Sequence, residues 1–129
     1  MAYVLTSCGE IIDKYTILLI KREKITDPYK LINIERELAE LDPHIISLNI
    51  ISSNIVSYMN KLKTINLELW EIEDNIRIKE AQSQFDEDFI SLARNVYLKN
   101  DERSSLKYKI NALTNSPLVE EKSYKSYKS

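Results

Sequence analysis

Apolar side chains recur at intervals of seven residues through the middle of the chain. One series begins at Leu48, and a second begins three residues later at Ile51. The first series is Leu48, Ile55, Leu62, Leu69 and Ile76, and the second is Ile51, Tyr58, Ile65 and Ile72. Two such series without proline or glycine are typical of a long helix that packs along one seam against another helix. The pattern therefore predicts that the rest of the chain is organised around this helix.

Two shorter helices are predicted before it. Ser7 and Glu10 have the spacing of a capping box, so helix 1 begins there and extends to about Ile25. Its apolar residues cover most of its circumference, which predicts burial on more than one side. Asp27 is followed by proline, a pair that starts helices, and this pair predicts helix 2 over residues 28–41.

The long third helix is predicted to begin at a second aspartate–proline pair. Asp42 and Pro43 repeat the start signal, so helix 2 is expected to end and helix 3 to begin there. Helix 3 extends to about Gln82, which corresponds to roughly 57 Å at the usual rise per residue. Residues 52–54 favour caps over helix interiors, so they are the weakest point of this helix and a kink or break is expected there.

A fourth helix completes an all-α fold. Asp86 caps this helix, which extends to about Leu113. Because few residues join helices 3 and 4, we expect them to form a long antiparallel, coiled-coil-like hairpin that helices 1 and 2 cover on one side. The chain is thus predicted to be an elongated bundle of about four helices. Residues 1–123 are expected to form its single domain, and residues 124–129 a flexible C-terminal tail.

Composition agrees with a helical fold and limits the classes of partner. One glycine and three prolines in 129 residues favour helices over sheets with tight turns. A net charge of −2 argues against a nucleic-acid partner. The sequence contains no apolar segment of membrane-spanning length and no recognisable signal peptide, and we expect a cytoplasmic protein without a membrane partner. A single cysteine excludes an intrachain disulfide.

The length of helix 3 also bears on oligomeric state. A helix of this length leaves apolar surface that the predicted hairpin of helices 1 and 2 does not cover. We therefore expect a second copy of the chain to cover it, in an elongated homodimer. The leading functional hypothesis is a non-enzymatic helical interaction or assembly module, whose partner is a second copy of the chain or another protein. No cofactor is predicted.

Polar residues also align on the predicted helices. Asn66, Trp70, Glu73 and Arg77 share one line along helix 3. Helix 1 carries charges among its apolar residues, and the apolar stripe of helix 4 is interrupted around Arg103. The three helices can enclose a charged cluster, which is either a structural ion network or a site for an anion or a substrate. The candidate binding residues are Asp13, Lys14, Lys21, Trp70, Glu73, Asp74, Arg77, Arg94, Asp101 and Arg103.

Two enzymatic interpretations of this cluster remain open. The segment IIDKYTILLIKREKI resembles the first helix of the all-helical chorismate mutases, which bind a dicarboxylate between Arg and Lys side chains; Lys21 and Arg22 correspond to such residues. Helical nucleotide pyrophosphohydrolases hold Mg²⁺ with E-x-x-E and E-x-x-D pairs on neighbouring helices. The similar pairs here are Glu37 with Glu40 and Glu71 with Asp74, at a longer spacing than is usual in that family. No metal site is predicted beyond these four carboxylates.

Four segments carry a wider resemblance. They are EIIDKYTILLIKREKI, LKTINLELWEIEDNIRIKE, FISLARNVYLKNDERSSLKYKIN and LVEEKSY. Together they resemble an uncharacterised family of small helical bacterial and phage proteins, known only as a domain of unknown function. The resemblance implies a helical protein without an established activity. It also implies that the candidate residues above, together with Asn100, Lys107 and residues 120–124, are family motif positions.

Overall fold

Four α-helices form the fold in the computed structural model, which describes residues 2–117, 121 and 124–127. They are α1 over Cys8–Lys24, α2 over Pro28–Ile51, α3 over Ser53–Ala81 and α4 over Glu87–Leu113. No described residue lies in a β-strand, and the predicted all-α class is confirmed. Within the same residues, no helix has both the length and the apolarity that crossing a membrane requires.

Local capping explains where three of the helices begin. The side-chain oxygens of Ser7, Asp27 and Asp86 each accept a hydrogen bond from a backbone N–H in the first turn of α1, α2 and α4, respectively. Each of these bonds satisfies a donor that has no partner inside its helix. The predicted starts of these three helices are therefore confirmed.

The predicted helix boundary at Asp42 and Pro43 is wrong. Pro43 lies inside α2, and the chain breaks instead at Ser52, which has an extended backbone and accepts a hydrogen bond from the Asn54 N–H. α2 therefore has 24 residues and α3 has 29, so α3 is roughly 44 Å long instead of 57 Å. The first members of the two seven-residue series, Leu48 and Ile51, consequently lie on α2.

The apolar face of α2 explains why the helix continues through its internal proline. Ile34, Leu38, Ile45 and Leu48 are all buried, and their helical spacing continues on both sides of Pro43. Proline removes one backbone hydrogen bond and crowds the preceding turn, which costs about 3 kcal/mol in a helix interior. Burial of Ile45 and Leu48 contributes about 1.5–3 kcal/mol each, which is enough to offset that cost.

Two buried apolar clusters hold the helices together. The larger one draws on all four helices and consists of Ile12, Ile45, Leu48, Ile55, Leu62, Ile65, Leu106 and Ile110. The smaller one lies between α1 and α2 and consists of Leu18, Ile34 and Leu38. Because α1 contributes to both clusters and contacts all three other helices, the predicted burial of α1 on more than one side is confirmed.

The start of α1 lies unusually close to α4. A Cβ atom at Gly9 would lie 2.7 Å from the carbonyl oxygen of Lys107 and 3.0 Å from Oδ1 of Asn111. The Gly9 N–H instead donates to that Oδ1 at 2.7 Å. The absence of a side chain at Gly9 therefore permits this approach, which fixes the position of α1 along α4.

α3 and α4 form the predicted antiparallel hairpin and share the most extensive helix–helix contact of the fold. At the turn, Ser83 adopts a φ of 53°, in the left-handed region. Lys79 Nζ donates to both carboxylate oxygens of Asp86, at 3.1 and 2.9 Å. This hydrogen-bonded ammonium lowers the pKa of the Asp86 carboxyl below its usual value. The turn is thus closed by a contact between the end of α3 and the cap of α4.

We name residues 70–105 the distal arm, which comprises the end of α3, the turn and most of α4. Neither apolar cluster contains a residue of the distal arm, and none of its residues is buried. Its seam side chains Ile72, Ile76, Leu92 and Val96 are only partly buried. Within the described part of the chain, the distal arm is therefore a pair of helices that contributes nothing to the buried core.

Candidate functional site

A buried carboxylate on α1 is the centre of a polar network. Asp13 is only 2 % exposed. Arg103 of α4 binds it with two parallel hydrogen bonds, in which Nε donates to Oδ1 at 2.9 Å and Nη2 donates to Oδ2 at 2.5 Å. Bidentate pairing is a strong and geometrically specific contact between arginine and a carboxylate. It compensates for the cost of removing the Asp13 charge from water.

Asn66 of α3 joins the same network. Its Nδ2 donates to Asp13 Oδ1 and to Thr16 Oγ1, both at 2.9 Å. The Thr16 hydroxyl in turn donates to the backbone carbonyl of Asp13 at 2.7 Å. Asp13 thereby connects α1 to α3 and α4 through side chains that are themselves held by hydrogen bonds.

Next to this network lies a groove that we name the Trp70 groove. It encloses about 460 Å³ between α1, α3 and α4, within the range of small-molecule sites. Asn66 and Arg103 belong both to the network and to the groove wall. The lining residues are Ile17, Ile20, Asn66, Leu69, Trp70, Glu73, Asp74, Arg77, Asn100 and Arg103.

Charges in the Trp70 groove are mixed. Glu73 and Asp74 contribute two carboxylates, and Arg77 lies 3.9 Å from Glu73 in an ion pair whose side chains are 80 % and 50 % exposed, respectively. Arg103 contributes a second guanidinium, which is bound to Asp13. The groove therefore combines an aromatic side chain, apolar walls from α1, and polar groups from α3 and α4.

A second groove of about 1040 Å³ lies between α4 and residues 124–127, and we name it the C-terminal groove. The rings of Tyr97 and Tyr127 are 5.0 Å apart there. Asn100 and Arg103 line both grooves, so the two meet at this part of α4.

The predicted flexible tail is only partly described. Its residues 128–129 lie outside the described residues, as do residues 118–120 and 122–123 before it. The predicted domain boundary at residue 123 stays a prediction.

Comparison with known proteins gives one match. Residues 2–129 match the family of unknown function DUF6165. The chain belongs to this family. No curated protein and no solved structure matches it. The family resemblance that the four sequence segments indicated is thus confirmed, and the function of this DUF6165 protein has to be argued from its own geometry.

The DUF6165 fold brings six of the predicted site residues together. Trp70, Glu73, Asp74, Arg77 and Arg103 line the Trp70 groove. Asp13 is bound to Arg103 next to that groove. The motif position Lys107 forms an ion pair with Glu10 of α1 and lines the C-terminal groove. Sequence position alone had placed these residues on three different helices.

The remaining predicted residues lie elsewhere. Asp101 lines the C-terminal groove. Lys14 forms an exposed ion pair with Glu37 of α2 at 3.7 Å. Lys21 and Arg94 are absent from the described linings of both grooves.

The candidate magnesium ligands lie on different helices. Glu37 and Glu40 lie on α2, and Glu71 and Asp74 lie on α3. Among the described residues, no three His, Cys, Asp or Glu side chains are grouped closely enough to hold a metal ion. Glu37 contacts Lys14, and Asp74 lines the Trp70 groove. The four carboxylates therefore do not converge in this DUF6165 structure.

Several residues of the site were not among the predicted site residues. Thr16 and Ile17 follow Asp13 by three and four residues, and Ile20 follows it by seven, so all of them share its helix face. This spacing is the signal that identifies them once Asp13 is known to face α3 and α4. The sequence pattern placed Asn66 on the same face of helix 3 as Trp70, but it did not predict its hydrogen bond to Asp13. The two residues are 53 positions apart, and no local pattern reveals such a pair.

Two further contacts between helices shift pKa values, and their residues line neither groove. Lys99 Nζ lies 2.7 Å from a Glu68 carboxylate oxygen across the α3–α4 hairpin, and the hydrogen bond raises the pKa of Lys99. Burial raises the pKa of the Tyr15 hydroxyl, and a hydrogen bond to Asp42 adds to the effect. Asp42, which had been predicted to cap a helix, thus contacts α1 from inside α2.

Proposed function

We propose that this DUF6165 protein is a non-enzymatic helical assembly module that acts as a homodimer. The observation that supports it best is the distal arm, where apolar seam residues on two long helices contribute to neither buried cluster. Two arms paired at their tips would bring four helix ends together and cover apolar side chains there with coiled-coil-like packing. A cytoplasmic location in a bacterial or phage-infected cell is part of the proposal, and the single thiol of Cys8 agrees with a reducing compartment.

The outward face of α4 offers the contact surface for a second copy. Ile90 and Leu98 are 47 % and 38 % exposed, and their spacing places them on neighbouring lines of that face. Tyr97 between them is 42 % exposed and also contacts Tyr127. Glu87 and Arg94 are seven residues apart along the same helix. Neither of these two charges has an ion-pair partner among residues 2–117, 121 and 124–127.

If two α4 helices pair in antiparallel orientation, the positive charge of one copy can face the negative charge of the other. If the two-fold axis passes midway between Glu87 and Arg94, Glu87 of each copy lies opposite Arg94 of the other. The same register places Ile90 of both copies next to the axis and overlaps the two α4 helices over residues 87–94. Tyr97 and Leu98 then lie opposite residues 83 and 84 in the turn of the other copy. Self-complementary contacts of this kind are what a two-fold interface requires. A stable dimer needs roughly 800 Å² per partner, more than one pair of charges supplies, so the apolar residues of the distal arm are expected to contribute most of the area.

A charge-swap series tests the proposal. Arg94→Glu places two negative charges opposite each other twice in the dimer, and it should weaken dimerisation at least tenfold. Adding Glu87→Arg to the same chain should restore it, because the opposite charges are then exchanged. Sedimentation equilibrium over a concentration series measures both effects. Arg36→Glu is the matched control, since Arg36 is exposed on α2 and distant in sequence from the distal arm.

Two results would end the proposal. One is a wild-type chain that stays monomeric at the highest concentration measured. The other is an Arg94→Glu variant that dimerises as well as the Arg36→Glu control, which would show that α4 does not form the interface.

The alternative function, a small enzyme or an anion-binding protein, has one observation in its favour. Arg77 and Arg103 line the same groove as Trp70. It has less support than assembly because the guanidinium of Arg103 is bound to Asp13 and that of Arg77 is paired with Glu73. An anion site requires positive charge that is not already neutralised by neighbouring carboxylates.

A further inference from the structure

Apolar side chains are exposed together where α2 ends and α3 begins. We name residues 46–56, on both sides of Ser52, the α2–α3 corner. The exposed apolar residues of this corner are Ile46, Ile50, Ile51 and Val56, which are between 39 % and 80 % exposed. Single exposed apolar residues are ordinary, but several on one surface mark an interaction site.

Acidic side chains are absent from this end of the two long helices. Residues 43–60 contain no Asp, Glu, Lys or Arg. The first carboxylate of α3 is Glu68 and the last of α4 is Glu102, so the end of α4 that lies beside the start of α3 carries none. Glu10, near the start of α1, is paired with Lys107. A negatively charged partner therefore meets no unpaired carboxylate of these helices at the corner.

Two lysines next to the corner have no carboxylate partner. Nζ of Lys61 on α3 and Nζ of Lys109 on α4 lie 5.9 and 6.0 Å from the centroid of the Tyr58 ring. Both lysines are exposed, and neither forms an ion pair within the described part of the chain. Two ammonium groups at one ring without a counter-charge create a positive potential that attracts anions.

The segment before α1 adds apolar surface at the same end of the molecule. Tyr3, Val4 and Leu5 are between 84 % and 92 % exposed. Ile12 of α1 packs with the end of α2 and Leu18 with its first half, so the two helices are antiparallel. The start of α1, and with it this segment, consequently lies beside the end of α2.

Distances along the helices match the interfacial layer of a lipid bilayer. The exposed apolar residues of the corner lie within six residues of Ser52, which corresponds to about 9 Å along either helix. Amphipathic segments insert about 5–10 Å into the boundary between headgroups and acyl chains. Lys61 follows Ser52 by nine residues, or about 13 Å along α3, which is the level of the headgroups when the corner is inserted.

We propose that the α2–α3 corner inserts into the surface of an anionic phospholipid bilayer. Its isoleucines enter the acyl-chain boundary, and Lys61 and Lys109 bind headgroup phosphates. A second copy fits this surface less well, because two-fold pairing would bring the lysines of both copies together without carboxylates between them.

This membrane contact is separate from the proposed dimer, whose interface lies on the distal arm. The prediction of no membrane partner rested on the lack of a spanning segment. Insertion of a corner into one face of a bilayer does not require such a segment.

Sedimentation of the full chain with vesicles tests the proposal. Vesicles of equal parts phosphatidylcholine and phosphatidylserine should bind the protein in a saturable manner, and vesicles of phosphatidylcholine alone should bind it several-fold more weakly. Added sodium chloride should remove most of that difference, because salt screens the attraction between lysines and headgroups.

Exposed isoleucines near the two ends of α2 provide matched variants. Ile50→Glu places a charge in the inserted surface, and it should weaken binding to the mixed vesicles at least tenfold. Ile32→Glu makes the same change near the other end of the helix, where Ile32 is 56 % exposed, and it should leave binding unchanged. Because both positions are exposed, both variants should keep the melting temperature of the wild type.

A pair of double variants tests the role of the lysines. Replacing Lys61 and Lys109 by glutamine should weaken binding to the mixed vesicles about tenfold and change binding to phosphatidylcholine little. Replacing Lys24 and Lys30 by glutamine is the control, since both are exposed at the junction of α1 and α2, away from the corner.

Any of four results would overturn the proposal. The first is a wild-type chain that does not sediment with the mixed vesicles. The second is an Ile50→Glu variant that binds them as well as Ile32→Glu, which would leave attraction without insertion. The third is equal binding by the two lysine double variants. The fourth is weaker self-association of Ile50→Glu in the absence of lipid, which would make the corner an interface between copies of the chain.

Discussion

Asp13 is the residue where the paths of three helices are fixed relative to one another. Its carboxylate accepts from Arg103 on α4 and from Asn66 on α3. Gly9, one turn earlier on α1, lets the backbone approach α4 closely enough for the pair to form. A buried ion pair adds little net stability compared with apolar residues of the same shape, but a single partner left behind is costly. We therefore infer that the pair specifies the alignment of α1 more than it stabilises the fold.

The two partners should respond unequally to substitution. Arg103→Met leaves the Asp13 carboxylate buried with a neutral amide as its main partner, which should lower the free energy of unfolding by about 3 kcal/mol. Asp13→Asn should cost about 1–2 kcal/mol, because the Arg103 side chain is 28 % exposed and reaches water. Urea unfolding of both variants measures the difference.

An exposed pair provides the matched control for this comparison. Arg22 and Glu35 are 3.7 Å apart with both side chains about half exposed, so Arg22→Met should change the free energy of unfolding by less than about 0.5 kcal/mol. Equal losses for Arg103→Met and Asp13→Asn, or a larger loss for the latter, would contradict the inference that burial of the carboxylate dominates.

At this scale the sequence identified charged residues but not their pairing. Charges on the very apolar helix 1, and the interruption of the stripe on helix 4, indicated that a polar cluster joins them. The ion pair between Asp13 and Arg103 was not predictable, because the two residues are 90 positions apart and several other charged residues lie on the same helices. The pairing depends on the height of α1 along α4, which Gly9 fixes through tertiary contact.

Among the helices, two identical dipeptides had opposite outcomes. Asp27 and Pro28 start α2 as predicted, whereas Asp42 and Pro43 lie inside it. The local signal is the same in both places, so the difference comes from burial of the residues that follow. Ser52 ends the helix instead, because its hydroxyl caps α3. Sequence patterns predicted the existence and order of the helices well because periodicity is local, and they failed where tertiary burial outweighed a cap.

The turn between α3 and α4 should respond to acid. The pKa of Asp86 is lowered in the folded chain by its hydrogen bonds to Lys79, so its contribution to stability is present above about pH 4 and is lost as the pH falls through the lowered folded-state value. Asp86→Asn keeps a good cap but removes the charge. Its melting temperature should be below that of the wild type at pH 7, and the difference should vanish near about pH 2.

A second background tests whether Lys79 is the cause. In Lys79→Met, the Asp86→Asn substitution should have an effect that depends much less on pH, since the charge partner is absent. The opposite outcomes are a difference in melting temperature between Asp86→Asn and its parent chain that grows on acidification, and one that depends on pH in the same way in the Lys79→Met background. Either result would show that the pH dependence comes from a group other than the Asp86–Lys79 pair.

Across the whole molecule, the helices divide into a base and the distal arm. The base contains both apolar clusters and the Asp13, Thr16 and Asn66 members of the polar network, and Arg103 of the distal arm binds to that network. The distal arm has partly buried seam residues and none that is fully buried. Regions with few buried apolar contacts open at lower free energy than the global transition. The Trp70 groove lies where the two parts meet, because Ile17 and Ile20 of the base and Trp70 and Arg77 of the arm line it.

This division predicts a step in amide hydrogen exchange along α3. In a dilute sample, amides of residues 55–66 should exchange only through global unfolding, while those of residues 72–100 should exchange faster through local opening of the hairpin. If the distal arm is the dimer interface, raising the protein concentration should protect residues 72–100 and leave residues 55–66 unchanged. The Arg94→Glu variant should lose that concentration dependence. Uniform protection along α3 in the dilute sample would contradict the division. Protection that rises with concentration in α2 instead of the arm would move the interface away from α4.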